Sequence, residues 1–386
     1  MLALRLTRGT HPLVLVRRLL VAAASAGVGF LLLAALGYAS AHPASAGSVL
    51  RLLWCFVPLA ATVQFAVAVA RTDPSTRPRP GLSSLGLGPV RLSVLAAVST
   101  AISTTLGSMV ALLFFLHLRG DLTGMPFDGG AAEFLGAGTP LPLAAALMLL
   151  ALVPVVAATA SALALRSRPD PARDTFGSEE LPEPAPAPAG LPWGVALAAA
   201  GLAVEAYASR GAAGHAFPLP GRFDATPVAV LAGWTLTAIG LAMAGPALTY
   251  LCGRALQAVR PGAVRLLAGR VLMDEARRLG RPLGVVCAVM AAVVAASALY
   301  GGDERPWGPL TALGAVLVLG CTAATLLTSA LEAKQARAQT AETLLRMGAP
   351  ASVLRKAAAL RAAALLALFA PLTWVIAELA ALPLAK

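Results

Sequence analysis

QARAQTAETLLRMGAPASVLRK, residues Gln335–Lys356, is a charged, helix-prone segment wedged between two long apolar runs. Residues 338–349 are rich in good helix formers, Gly348 reads as the stop, and Pro350 opens a second short helix that carries Arg355 and Lys356 into the last apolar run. The stretch reads as a helical elbow at a membrane surface. Gly348 is expected to hold a left-handed backbone. Arg346, in the last turn, is expected to favour the helix C-terminus and to stay free to meet an acidic patch on a partner.

Composition explains why the elbow is flanked as it is. Hydrophobic residues make up 58% of the 386 and charged residues 12%, with mean hydropathy +0.78. Soluble domains run about 25% charged, so this is a polytopic membrane protein. A formal charge of +12 would suggest nucleic acid in a soluble chain. Here the arginines flank apolar runs, where they set topology and meet anionic membrane lipid, so no nucleic-acid partner is expected. Only Lys334, Lys356 and Lys386 are lysines, and with abundant Ala, Gly and Pro that usage suggests a GC-rich bacterial source and hence a bacterial cytoplasmic membrane. Cys55, Cys252, Cys287 and Cys321 stand singly in apolar runs without C-x-x-C spacing, which predicts buried thiols rather than a zinc site or disulfides.

Along the chain, Arg5, Arg8, Arg17 and Arg18 precede a run from Leu19 to Ser40, too long for a signal sequence and suited to an uncleaved first span. Runs follow at 49–70, 92–116 and 141–165, completing a first membrane repeat of four spans over 1–166. Residues 167–190, charged and dense in Pro, form an exposed cytoplasmic linker. A weaker helix pair, about 191–207 and 228–251, occupies 191–253. The remainder, 254–386, holds a second membrane repeat of three spans at 283–299, 310–328 and 357–382. Ahead of those spans, Arg254–Arg281 alternates arginines with Leu and Val, which predicts an amphipathic helix on an anionic surface, interrupted at Pro261-Gly262. The fold class is all-α, with about nine transmembrane helices.

With the N-terminus cytoplasmic, only Arg51, Arg119, Arg210, Arg222, Arg305 and Lys386 of the 30 basic residues fall outside. The positive-inside rule therefore predicts that orientation. Both the elbow and segment 72–91 come out cytoplasmic.

Sliding the chain on itself by 260 residues places Arg17-Arg18-Leu19 on Arg277-Arg278-Leu279, Leu85 on Leu345 and Gly88 on Gly348. The offset spans an even number of helices, so the two repeats run parallel. A helix pair, a cytoplasmic elbow with a Gly and further helices, repeated twice, resembles the duplicated FtsX-like permeases of ATP-binding-cassette transporters. In that family a pattern close to L-R-x-x-G-A precedes a transmembrane helix; here the residues are Leu345, Arg346, Met347, Gly348 and Ala349, one position out of register. The likeness covers 17–118 and 270–382. It implies a permease subunit that moves an amphipathic substrate such as a lipid, peptide or drug, driven by a separate cytoplasmic ABC ATPase subunit. The ATPase would meet Leu85, Gly86, Leu87 and Gly88 in the first repeat and Leu345, Arg346, Met347, Gly348 and Ala349 in the second. The alternative is a non-transporting membrane regulator or scaffold coupled to the same kind of ATPase. The oligomeric state is left open.

The chemistry-bearing residues are few. No G-x-x-x-x-G-K-[ST] string occurs, so ATP must be handled by a partner. G-x-S-x-G, H-E-x-x-H and paired acids within a span are missing too, so no catalytic residue, cofactor or metal is expected. Glu205 and Glu378 lie toward the ends of their runs and are read as interface anchors rather than proton relays. Gln64 is read as helix-packing glue. His42, His117 and His215 lie in unrelated loops without ligand spacing. The near absence of mid-membrane charge counts against an ion-coupled secondary carrier.

Overall fold

The computed structural model describes residues 12–42, 46–73, 89–122, 129–166, 187–210, 216–219, 223–258, 262–299, 308–348 and 350–381. Among the described residues the chain forms twelve helices and one two-stranded hairpin. In chain order these are α1 (Pro12–Ala41), α2 (Ala46–Trp54), α3 (Phe56–Thr72), α4 (Pro89–Arg119), α5 (Ala132–Leu135), α6 (Leu143–Leu165) and α7 (Leu191–Arg210). The hairpin β1 (Ala216–Leu219) and β2 (Phe223–Pro227) follows, then α8 (Val228–Gln257), α9 (Ala263–Leu299), α10 (Pro309–Ala336), α11 (Ala338–Arg346) and α12 (Ala351–Ala381). Runs of Ala, Leu and Val become helix because in lipid the backbone must satisfy its own hydrogen bonds within the segment.

Eight of these helices are long and apolar enough to cross a bilayer, where the sequence predicts nine. The ninth, α7, has a shorter apolar part, Leu191–Tyr207. Its 20 residues rise about 30 Å, just the thickness of the hydrocarbon core.

Two further boundaries differ from expectation. α8 ends at Gln257 and α9 begins at Ala263, Pro261 itself lying outside the described residues, and no break separates the arginine-rich segment from the apolar run after it: α9 continues through Pro282 to Leu299. A proline removes one backbone donor, which a long, packed membrane helix tolerates. Likewise no separate short helix follows Pro350, because Arg355 and Lys356 belong to the first turns of the 31-residue α12.

The chain divides into two compact units, one of Met1–Gly177, Pro218–Arg222 and Trp307–Thr325, the other of Ser178–Phe217, Phe223–Pro306 and Leu326–Lys386. In the first, α1 is the hub and packs on α3, α4 and α6. Val28 and Leu33 of α1, Phe65 of α3, Phe115 of α4 and Val153 of α6 are at most 2% exposed. At the crossing of α1 and α4 a Cβ added to Gly107 would meet Ser25 Cβ at 2.8 Å, so only glycine lets the backbones come this close. Ser25 Oγ then donates to Thr104 O at 2.8 Å across that contact. Leu310, Leu313 and Leu317, from the first part of α10, pack against the same core. Beyond α4, residues 129–142 fold back through left-handed Gly129 and Gly136, placing Leu135 at 1% exposure and Thr139 O as acceptor for Arg119.

In the second unit α8 is central, packed on α7 by one face and on α9 by another. Its sequence explains both contacts. Gly194 and Gly201 of α7 meet Gly240 and Gly233 of α8, and Gly245 and Gly253 of α8 meet Gly280 and Gly269 of α9. These small residues allow close helix approach where lipid supplies no hydrophobic drive between helices. A stretch that reads as a weak pair in sequence is thus a closely packed helix pair. The arginine-rich start of α9 is packed too: Ala268, Leu272 and Ala276 are at most 1% exposed, so that face lies against protein instead of a lipid surface. Core residues Leu241, Cys287, Phe369 and Ile376 complete the packing of α8, α9 and α12.

Candidate functional site at the elbow

The elbow is built from the end of α10 forward. Arg337, in helical conformation at φ −86° and ψ −9°, is the single residue between α10 and α11, so the chain bends there without leaving helical dihedrals. Along α11 the residues mostly face outward: Glu342, Leu345, Arg346 and Met347 are exposed. Two backbone bonds close the helix, Met347 N–H to Thr343 O and Gly348 N–H to Leu345 O, each 3.0 Å. Gly348 then takes φ +91°, the positive-φ stop the sequence predicts. No atom lies within 4 Å of where its Cβ would be, so backbone conformation and not space requires glycine.

Arg346 is not free as expected. It pairs with Glu342 one turn back at 2.6 Å, the two side chains being 77% and 62% exposed. Glu preceding Arg by four is the favourable order on a helix, and such an exposed pair contributes about 0.3–0.5 kcal/mol. It is weak enough to exchange for a partner's carboxylate. Leu345 and Met347 are 46% and 71% exposed, which adds apolar surface beside the charge. Of the remaining candidates, Leu85, Gly86, Leu87, Gly88 and Ala349 lie outside the described residues.

What the sequence reading missed is the root of the elbow. Arg337 donates through Nη1 to Oε1 of Glu275 on α9, and Arg361 Nη1 of α12 stands 3.9 Å from Oε2 of the same carboxylate. The side chains of Glu275 and Arg361 are 10% and 16% exposed. One buried acid therefore joins three helices at the bend. Glu275 sits inside DEARR and was hidden among arginines. Its signal is positional: with Ala268 and Leu272 it falls on the buried face, where an unpaired acid would be costly.

The first unit holds a related contact. Arg18 of α1 reaches Asp73, which caps the end of α3, at 2.5 Å. It closes one side of a small cavity lined also by Val21, Val69, Ser99, Thr100 and Ser103.

Three other sequence readings change. Glu205 is 1% exposed and buried against α8, which overturns its reading as an interface anchor. Glu378 is exposed. Gln64 faces outward, so it does not glue helices together. Cys55, Cys287 and Cys321 are buried and Cys252 half-buried, all as free thiols. Among the described residues no three His, Cys, Asp or Glu side chains cluster as metal ligands would.

No protein-family model, curated protein or solved structure matches the chain.

Proposed function

We propose that this chain is the membrane subunit of an ATP-driven transporter of the FtsX-like permease type, moving an amphipathic substrate and coupled to a separate ATPase through its elbow. The observation that carries the reading is the elbow itself: a short exposed helix, α11, ends at left-handed Gly348 and is tied at its root by Arg337 to Glu275. A push on the outer face of α11 would be passed through Arg337 to α9 and through the turn at Gly348 to α12. Such a lever needs a stiff root and an open face, and α11 has both.

Element placement supports two parallel repeats. Shifted by 260, Pro89 at the start of α4 falls two residues before Ala351 of α12, and Ala41 at the end of α1 falls two past Leu299 of α9. In each case the first span packs on the third, α1 on α4 and α9 on α12. The reading places the N-terminus and both elbows in the cytoplasm.

The test is gentle purification of the chain from its native membrane, with identification of any ATPase that accompanies it, followed by hydrolysis measurements in lipid with and without candidate substrates. Co-purification with substrate-stimulated hydrolysis is the expected result. Co-purification with hydrolysis that ignores every substrate would favour the membrane regulator. Absence of any ATPase from a gently solubilised complex would refute both.

A further inference from the structure

Glu205 is the most deeply buried acid among the described residues. It lies on α7, 1% exposed, with its Cγ occupying the place a Cβ on Gly233 of α8 would take, 2.5 Å away. Gly233 is therefore the residue that admits it. Thr237 Oγ1, one turn further along α8, donates to Glu205 Oε1 at 3.3 Å. The second oxygen, Oε2, is buried without a hydrogen-bond partner. Beside Gly233, the indole Nε1 of Trp234 is also buried and unpartnered.

Among the described residues no positive charge answers this carboxyl. Arg254 is the only charged residue of α8 and stands near its opposite end. The helix α12, which also touches α7, carries only Glu378 beyond Arg361, and that residue adds negative charge if anything. None of the ion pairs formed among the described residues includes Glu205. A carboxylate sequestered in a helix pair without a counter-ion bears a desolvation cost of several kcal/mol, which a bound proton removes.

We propose that Glu205 is a proton-binding site: the folded protein holds it as a neutral carboxylic acid between α7 and α8, with Thr237 donating to its carbonyl oxygen. Release of that proton leaves a bare charge against the Gly201–Gly233 contact and loosens the helix pair. The site is separate from the elbow and independent of any ATPase.

The experiment is infrared spectroscopy of the whole protein in lipid bilayers, with glutamate carrying a carbon-13 carboxyl. The expected result near neutral pH is a protonated-carboxyl band that shifts with the label and is missing from Glu205→Gln. In Glu205→Asp it leaves the glutamate label and appears on an aspartate label. A parallel thermal series gives the sign. If ionising Glu205 loosens the helix pair, wild-type stability is expected to fall more steeply as pH rises than that of Glu205→Gln, which lacks the titrating group. If the wild-type and Glu205→Gln spectra coincide in the protonated-carboxyl region down to mildly acidic pH, the carboxyl is ionised and the proposal fails. Parallel pH dependence of the two melting curves overturns it equally.

Discussion

Arg337, the one residue between α10 and α11, donates to Glu275 on α9, 62 positions earlier in the chain. Arg18 on α1 reaches Asp73 at the end of α3 in the same relation with the signs exchanged, the base now on the first helix and the acid after the second. Each proposed repeat thus ties its opening helix to the end of the next one by a single ion pair. The two pairs are not at equivalent positions in the 260-residue register, which carries Arg18 onto Arg278 and Asp73 onto Ala333.

The pair at the elbow is the more sequestered of the two, and its coupling is measurable. Glu275→Gln and Arg337→Gln, alone and together in detergent or lipid, form a double-mutant cycle. Arg337 is 30% exposed and can turn to water, whereas the Glu275 side chain, 10% exposed, cannot. The expected interaction energy is about 1–3 kcal/mol, with Arg337→Gln the costlier single change because it removes the acid's hydrogen-bonded partner and leaves it to the more distant Arg361 and to Arg278. Additive single effects would show that the pair holds nothing.

At Gly348 the cost of substitution is conformational. With open space around the missing Cβ, Gly348→Ala and Gly348→Val should each cost about 1 kcal/mol, Val somewhat more, without blocking membrane insertion. Arg346→Glu places two acids at i and i+4 and should cost a few tenths of a kcal/mol. Both Gly348→Val and Arg346→Glu are expected to reduce ATPase co-purification or stimulated hydrolysis several-fold, as is Gly88→Val in the first repeat. Full partner yield with unchanged turnover in all three would reduce the elbows to ordinary surface turns.

At Gly194 and Gly201 the contact between α7 and α8 leaves no room for a side chain. A Cβ on Gly201 would lie 2.6 Å from Gly233 O, and one on Gly194 would lie 2.8 Å from Gly240 O. Gly201→Leu should lower stability by about 1–3 kcal/mol through overpacking, read as a lower melting temperature of the detergent-solubilised protein. Gly262→Leu, in open space, should leave it unchanged.

Reporter fusions decide the path of α7. Fusions after residue 175 should report cytoplasm, and fusions after 125, 215 and 386 the outside. The same side at 175 and 215 would mean that α7 enters the bilayer without crossing it. The C-terminus would then lie on the cytoplasmic side with the N-terminus.

Membrane residence was legible from the sequence alone, because apolar runs of spanning length admit few other fates and the backbone must be helical there. The elbow was legible for a local reason as well: helix formers, a glycine stop and flanking charge act within one or two turns, so Gly348 could be assigned a positive φ from its neighbours. Continuity of α9 through Pro282 was not, since whether a proline ends a helix depends on what packs beside it. Glu205 and Gln64 were misread together for one reason, namely that hydropathy says a residue lies in a helix but not which face it occupies. Only the pairing of α7 with α8, set by Gly201 and Gly233, turned Glu205 inward. The tie between Glu275 and Arg337 likewise exists only because folding brings the start of α9 beside the end of α10, a distance along the chain that no local pattern spans.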